Sequence, residues 1–222
     1  MTMTRQRIQA QGPSIPGLTF RPATEADTGR ICEIMHGEPS QEAVGLCFDS
    51  SELARRLGEM QVRLPNSPSG WQHTALAQIN GEAVGVLQAG PGGNTLASYV
   101  SIGLLLRAVR IFGAVRFIKG LPRIRARARV DTEDPEGAYV VHELHVDPRH
   151  RNWGIGGAML LYAERKARRL GHTKMSLSTT TVNPARHLYE RHGYRIAGTR
   201  TDPDYERYTG IVGRYLMVKE LS

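Results

Sequence analysis

Hydrophobic and polar positions alternate between two periods along this chain. LTFRPATEADTGRICEIMHG, from Leu18, gives a short strand and then a helix, with Thr24 and Asp27 spaced as a capping box and Ile31, Ile34 and Met35 on an inward face. A second helix is expected over Ser51 to Met60, where Leu53 and Leu57 stand four apart. WQHTALAQINGEAVGVLQAG predicts two strands around Asn80-Gly81, a pair suited to the positive φ values of a tight hairpin, with Gly90 to Asn94 closing that arm. YVSIGLLLRAVRIFGAVRFI is helical in length and apolarity, with Ile102, Leu105, Leu106, Val109 and Phe112 spaced as one face. KGLPRIRARARV then breaks at Pro122 and alternates arginine with small or apolar residues, which suits an extended edge as well as an exposed tail.

Ala138 to Val146 is a strand ended by Asp147-Pro148, and Gly156 to Leu170 is a helix with Met159, Leu160 and Ala163 on one face. KMSLSTTTV is a further strand with Met175 and Leu177 on one side. Pro184 to His192 is a short helix starting from an Asn183 cap, and Tyr194 to Thr199 and Gly213 to Lys219 are the last strands. Strand, helix, strand, helix, strand, strand after the hairpin argues a mixed α/β domain rather than a helical bundle.

Composition adds one domain and a local charge. The 222 residues are 40% hydrophobic and 23% charged, enough for one core over residues 18–222 behind a loose arm at residues 1–17 with no apolar signal segment. Cys32 and Cys47 have no metal-like or redox-motif spacing, so a reducing, cytoplasmic interior is expected. The formal charge is +8, and eight arginines and lysines lie between Ala83 and Val130, a stretch without Asp or Glu. Three arginines and two glycines in the apolar run of this interval argue against a bilayer span. Residues 93–132 therefore form a basic interval with three readings: a wall of a substrate pocket, a surface for another protein or a membrane, or a packed helix with a solvated margin. Nucleic acid is disfavoured, because no aromatic stacking pattern accompanies the charge.

RNWGIGG, residues 151–157, holds three glycines in seven residues between a strand and a helix. Glycine is costly at a helix start, but here it lets backbone amides approach an anion at the helix N-terminus. The triphosphate loop would need Lys and Ser or Thr after Gly156, and the dinucleotide fingerprint would need glycine where Met159 stands. Both nucleotide readings fail.

HVDPRHRNWGIGGAMLLYAE and, after one strand, NPARHLYERHGY resemble the two signature segments of the GNAT superfamily of N-acyltransferases. The first carries the superfamily's core pattern at Arg151, Asn152, Trp153, Gly154, Ile155 and Gly156. The resemblance implies a GNAT-like single mixed-sheet fold with a basic helical insertion at 93–132, which does not fit the family's element order. It implies acetyl-CoA as donor, with amides across 151 to 157, Gly157 included, on the pyrophosphate of coenzyme A. It also implies that the strand bearing Leu144 and Val146 bonds the pantetheine arm, with an amide near Val146 on the thioester oxygen. Asn183 is read either as a cofactor contact or as a helix cap. Dimerisation is a family-level expectation.

The implied reaction, direct transfer to a primary amine, needs a neutral nitrogen, and an alkyl amine with pKa about 10.4 is neutral to about one part in 10³ or less at pH 7. Glu143, directly or through water, is the first candidate base and His145 the second. Strand alternation puts Tyr139, Val141, Glu143 and His145 on one face and Val140, His142, Leu144 and Val146 on the other. By the resemblance, Tyr189 is the acid that protonates the departing sulfur. No residue pattern demands a metal. A small-molecule acceptor is the first reading, with a protein N-acetyltransferase and a non-turning-over acyl-CoA-binding regulatory or interaction module as alternatives.

Overall fold

The computed structural model describes residues 15–64, 70–92 and 102–221, without the side chains of 102–105. Among these residues seven strands form one sheet in the order β1-β2-β3-β4-β5-β7-β6. They are β1 (Leu18–Pro22), β2 (Thr74–Ile79), β3 (Glu82–Pro91), β4 (Tyr139–Val146), β5 (Lys174–Thr180), β6 (Arg195–Thr201) and β7 (Gly213–Glu220). Eight helices accompany them among the described residues: α1 (Thr28–His36), α2 (Gln41–Leu46), α3 (Ser51–Arg63), α4 (Ile102–Phe112), α5 (Ala114–Val130), α6 (Ile155–Arg169), α7 (Arg186–Arg191) and α8 (Pro203–Thr209). The β2-β3 hairpin turns on Asn80 and Gly81, both at positive φ as anticipated.

Apolar stripes decide which face each helix covers. Met159, Leu160 and Ala163 of α6 pack with Tyr139, Val141, Met175 and Leu177 into the larger core on one side of the sheet. Ile31, Ile34 and Met35 of α1 and Val62 of α3 pack on Leu76 and Val86 on the other side. Ile15, at the end of the expected loose arm, is tied to this frame: its carbonyl accepts from Leu18 and its side chain packs on the larger core. Residues 1–14 of that arm, the hairpin closure beyond Gly92, and the faces of Ile102 and Leu105 lie outside the described residues.

Three sequence readings are corrected. The helix break expected at Pro122 falls at Gly113, whose φ of +76° no other residue type tolerates as cheaply, and α5 runs through Pro122 to Val130. What alternates along the sequence is helical in space: Ala126 and Val130 pack on Tyr205 and Ile211, and Arg123 and Arg127, four apart, share an inward side. Leu106 is 66% exposed, while Ile111 and Phe112 of the same helix turn inward onto Cys47 and Leu53. The third correction concerns β4. Gln88 pairs with Glu143 but Ala89 with Val141, so His142 is an extra residue in a bulge. Past it the faces exchange: Leu144 and Val146 join the same core as Tyr139 and Val141, and Glu143 and His145 turn to the opposite side, where α1 lies.

The central pair opens. β4 and β5 run parallel only over Tyr139–Val141 and Met175–Leu177. Beyond Val141, β4 stays paired with β3 alone, down to Asp147, whose amide reaches the Val84 carbonyl at 2.9 Å. Alternation from that bond directs the amides and carbonyls of Leu144 and Val146 away from β3, into the gap left by β5.

Candidate active site

The glycine-rich turn lies at the mouth of this gap. Asp147 is 2% exposed; it accepts from the Arg149 amide at 2.9 Å and pairs with Arg149 and with Arg30 of α1. The Arg149 hydrogen bond, offsetting burial and helped by Arg30, holds this carboxyl far below the usual carboxylate range. Arg30 also donates to Ala83 O at 3.0 Å, so one side chain fixes β3 and the end of β4 together. Downstream, Asn152 and Gly154 have φ of +67° and +82°. Left-handed residues alternating with ordinary ones turn successive amides inward, a concave anion site. The first helical bond of α6 runs from Ala158 N–H to Gly154 O, and no acceptor among the described residues takes the amides of 152–157.

The side chains of the turn divide by role. Trp153 is 57% exposed against His150, Arg151 reaches toward Val146 O at 3.4 Å, and Ile155 is 1% exposed in the core, so only its amide can serve a ligand. A Cβ on Gly156 would stand 3.0 Å from Leu188 and 3.7 Å from Leu144, which places the turn, the open edge of β4 and α7 in contact. At Gly157 it would meet His192 at 2.7 Å, so that glycine has a packing reason too.

Tyr189, next to Leu188 on α7, is 7% exposed, and its ring meets Tyr194 edge-on at 6.1 Å. The Tyr194 hydroxyl turns to the Met175 sulfur, whereas that of Tyr189 has no partner among the described residues and is not sealed from solvent. Burial, reinforced by the nearby charge of Glu143 and partly offset by Arg214, pushes the Tyr189 phenol up to about 12. Glu143 accepts from His145 at 2.8 Å, with its side chain 40% exposed. Burial would raise its pKa, but the His145 hydrogen bond and the charges of His145, His36 and Arg214 win and hold it below the ordinary glutamate value. Tyr189 thus lies within reach of the charge of Glu143, which pairs with His145 on the strand face that the bulge reverses.

The sequence profile described as Acetyltransferase (GNAT) family matches residues 46–194. The chain belongs to the GNAT acetyltransferase family. No curated protein matches it significantly. Among solved structures, a mosquito arylalkylamine N-acetyltransferase like 5b aligns at TM-score 0.54 and 19% identity, over 92% of this chain and 100% of the other. PaiA N-acetyltransferase from Thermoplasma acidophilum, in complex with coenzyme A, aligns at 0.52 and 12%, over 91% and 98%. Ard1 from Thermoplasma volcanium aligns at 0.51 and 12%, over 93% and 99%. At these identities the likeness establishes the GNAT fold.

Within this GNAT fold, Asn183 serves the protein: its Oδ1 accepts from Ala185 N–H at 2.9 Å and its amide donates to Thr179 at 2.8 Å. It caps the turn ahead of α7, which starts at Arg186, two residues after Pro184. Sequence reasoning missed Arg214, Glu42 and His36. Arg214 on β7 donates to Glu42 on α2 at 2.6 Å and to Ser178 Oγ at 3.1 Å. Glu42 also takes Tyr205 OH at 2.7 Å and Arg127 Nε at 2.9 Å, which ties the insertion to the flank of the cleft. The Nε2 of His36, which shares the Glu143 field, is sealed without a partner, and a Cβ on Gly58 would lie 2.4 Å from its ring. None of these contacts joins sequence neighbours; Arg214 and Glu42 stand 172 positions apart.

Two cavities flank this arrangement. One of about 230 Å³ lies between α1 and the end of β4, lined by Arg30, Met35, His145, Asp147 and Arg151. Another of about 510 Å³ sits at the opposite end of β4, against Tyr139, His142, Tyr162 and Lys166, and its described lining includes neither Glu143 nor Tyr189. Among the described residues no three His, Cys, Asp or Glu side chains are grouped to hold a metal.

Proposed function

We propose that the chain is an acetyl-CoA-dependent N-acetyltransferase that passes the acetyl group directly to a primary amine, with a small molecule as the preferred acceptor class. The carrying observation is that two sets of backbone amides without an acceptor among the described residues, those of 152–157 and those of Leu144 and Val146 on the β4 edge, lie on one side of the gap beside Tyr189. Such groups fit an anionic headgroup followed by an extended amide-bearing arm. Acetyl-CoA supplies the activated acetyl thioester. The turn from Arg151 to Gly157 binds its pyrophosphate, Leu144 and Val146 bond the arm, and a backbone amide near Val146 receives charge at the carbonyl oxygen. Tyr189 gives its proton to the sulfur.

Glu143 remains anionic through neutral pH, because its carboxyl is held below its ordinary value. It therefore draws a cationic amine into the cleft, and with His145 at 2.8 Å it forms the acceptor for the nitrogen's proton. A panel of primary amines, amino-terminal peptides and lysine peptides, followed by thiol release and product mass, tests the reading. Amine-dependent thiol release is expected, and Glu143→Gln should lower kcat/KM for the amine by about 10²-fold. Coenzyme A binding without turnover on any amine would make the chain a regulatory module instead; an unchanged pH-rate profile in Glu143→Gln would remove that residue from the chemistry.

The turn makes a second demand. At φ +82°, alanine at 154 costs about 1–2 kcal/mol of backbone strain, which the turn relieves by rotating its amides out of line. Gly154→Ala should weaken coenzyme A binding about tenfold in calorimetry while leaving the far-ultraviolet spectrum intact.

A further inference from the structure

Helix α5, in the second half of the basic interval, turns three arginines onto α2 and α8. Arg129 pairs with Asp202 and Asp204 at the start of α8, and Arg123 stacks on Phe48, just after α2, and on Tyr208 of α8 at 4.2 and 4.5 Å. Arg127 reaches Glu42 of α2 at 2.9 Å. Glu42 passes the link to Arg214, whose Nη1 donates to it at 2.6 Å. The same guanidinium ends on β5: Nε donates to Ser178 Oγ and Nη2 to the Ser178 carbonyl, both at 3.1 Å.

The direction of that carbonyl gives the chain of contacts its consequence. Thr173 and Thr181 both bond toward β7, the first accepting from the Leu221 amide at 2.7 Å and the second donating to the Gly213 carbonyl at 3.0 Å, and the β5-β7 register between them is unbroken. Alternation therefore turns the backbone groups of Ser176, Ser178 and Thr180 the other way, toward β4. Ser178 is the residue just past the last β4-β5 pair, Val141 with Leu177. In a parallel ladder its carbonyl is the next acceptor for an amide of β4, and the Leu144 amide is directed into the same gap. The Arg214 side chain leaves β7, crosses β5 and takes that acceptor first. Its charge is felt by both Glu143 and Tyr189, which agrees with a guanidinium at the gap.

We propose that α5 braces the β4-β5 gap open: Arg127 fixes Glu42, Glu42 fixes Arg214, and Arg214 occupies the Ser178 carbonyl so that β5 cannot close onto β4. The bulge at His142 begins the separation of the strands, and Arg214 keeps the freed acceptor from recapturing the Leu144 amide. Arginine suits the position because its planar fork joins a carboxylate on one side to a carbonyl and a hydroxyl on the other, which a lysine ammonium does with less fixed geometry. That the opening admits the arm of the donor rests on the acetyl-CoA reading above; the brace itself does not.

Amide hydrogen exchange of the full chain without ligand tests the brace apart from acetyl transfer. In Glu42→Leu with Arg214→Met, which removes both buried charges together, the Leu144 amide should exchange about tenfold more slowly or slower still, because the Ser178 carbonyl becomes available to it. Arg214→Lys keeps a cation for Glu42 and guards against loss of the fold; it should slow the same amide. Arg127→Met removes only the α5 end and should slow it about two- to threefold. In calorimetry the double variant should bind coenzyme A about tenfold more weakly, yet bind adenosine 3′-phosphate 5′-diphosphate, which lacks the pantetheine arm, as the wild type does. A merely structural role would weaken both ligands alike and speed exchange across the sheet, and that result overturns the proposal. Leu144 exchange that fails to slow in the Arg214 variants, or slows there but not in Arg127→Met, overturns it too. If the wild type binds no coenzyme A while Leu144 still slows in all three variants, the brace stands and the acetyl-CoA reading falls.

Discussion

Tyr189→Phe should reduce kcat by about 10²-fold or more while changing coenzyme A affinity less than about twofold, the signature of a lost proton donor. The ring stays useful without its hydroxyl: it is 7% exposed and packed edge-on against Tyr194, so phenylalanine fills the same space. The hydroxyl itself bonds no described residue, and its removal leaves no buried polar atom orphaned among them. A loss in turnover therefore cannot be charged to folding. The raised pKa sharpens the test. A phenol pushed up to about 12 remains protonated across the working range, so the wild-type enzyme should show no alkaline decline from this group below about pH 11. The residual activity of Tyr189→Phe, drawing its proton from solvent, should keep the wild-type dependence on amine ionisation at the low-pH side. Full turnover in the phenylalanine variant would reject the assignment, and Tyr194→Phe is the control, because that hydroxyl faces the Met175 sulfur inside the core.

What could be read in the sequence is what local geometry decides. RNWGIGG announces a sharp turn because glycine needs a reason at a helix start, and the positive φ of Gly154 supplies it. Met159, Met175 and Ile31 were placed in the core because period and burial coincide along one element. The face of Glu143 was misread for a cause no single strand carries. The bulge at His142 exists only in the pairing of β4 with Gln88 and Ala89 on β3, and one inserted residue exchanges every side chain after it. Pro122 likewise looked like a terminator, since its ring removes a hydrogen bond, yet the burial of Ala126 and Val130 on Tyr205 and Ile211 carries the helix past it. The proximity of Glu143 and His145 survived the error because residues two apart share a face on either side of the strand.

Removing the carboxylate of Glu42 should be the most destabilising single change on the flank of the cleft. Glu42→Ala leaves the Arg214 side chain, 11% exposed, with only Ser178 for company, and Arg127 with Asp131 alone, besides depriving Tyr205 OH of its acceptor. Breaking a buried ion pair from one side costs about 3–5 kcal/mol, most of it the penalty of the cation left behind. In a chain of this size that is roughly a 10 °C fall in the unfolding midpoint. The pH dependence fixes the mechanism. Burial would raise the Glu42 carboxyl, but Arg214 and Arg127 override it and hold it below its ordinary value. A depressed folded-state pKa gives stability that is fully present above the unfolded value, about 4.5, and is lost as pH falls through the folded value. The gap in midpoint between wild type and Glu42→Ala should thus be widest near neutrality and narrow in acid. Glu42→Leu combined with Arg214→Met should recover part of the loss, because it removes both buried charges together, whereas a pair that merely decorates the surface would show a small gap at every pH.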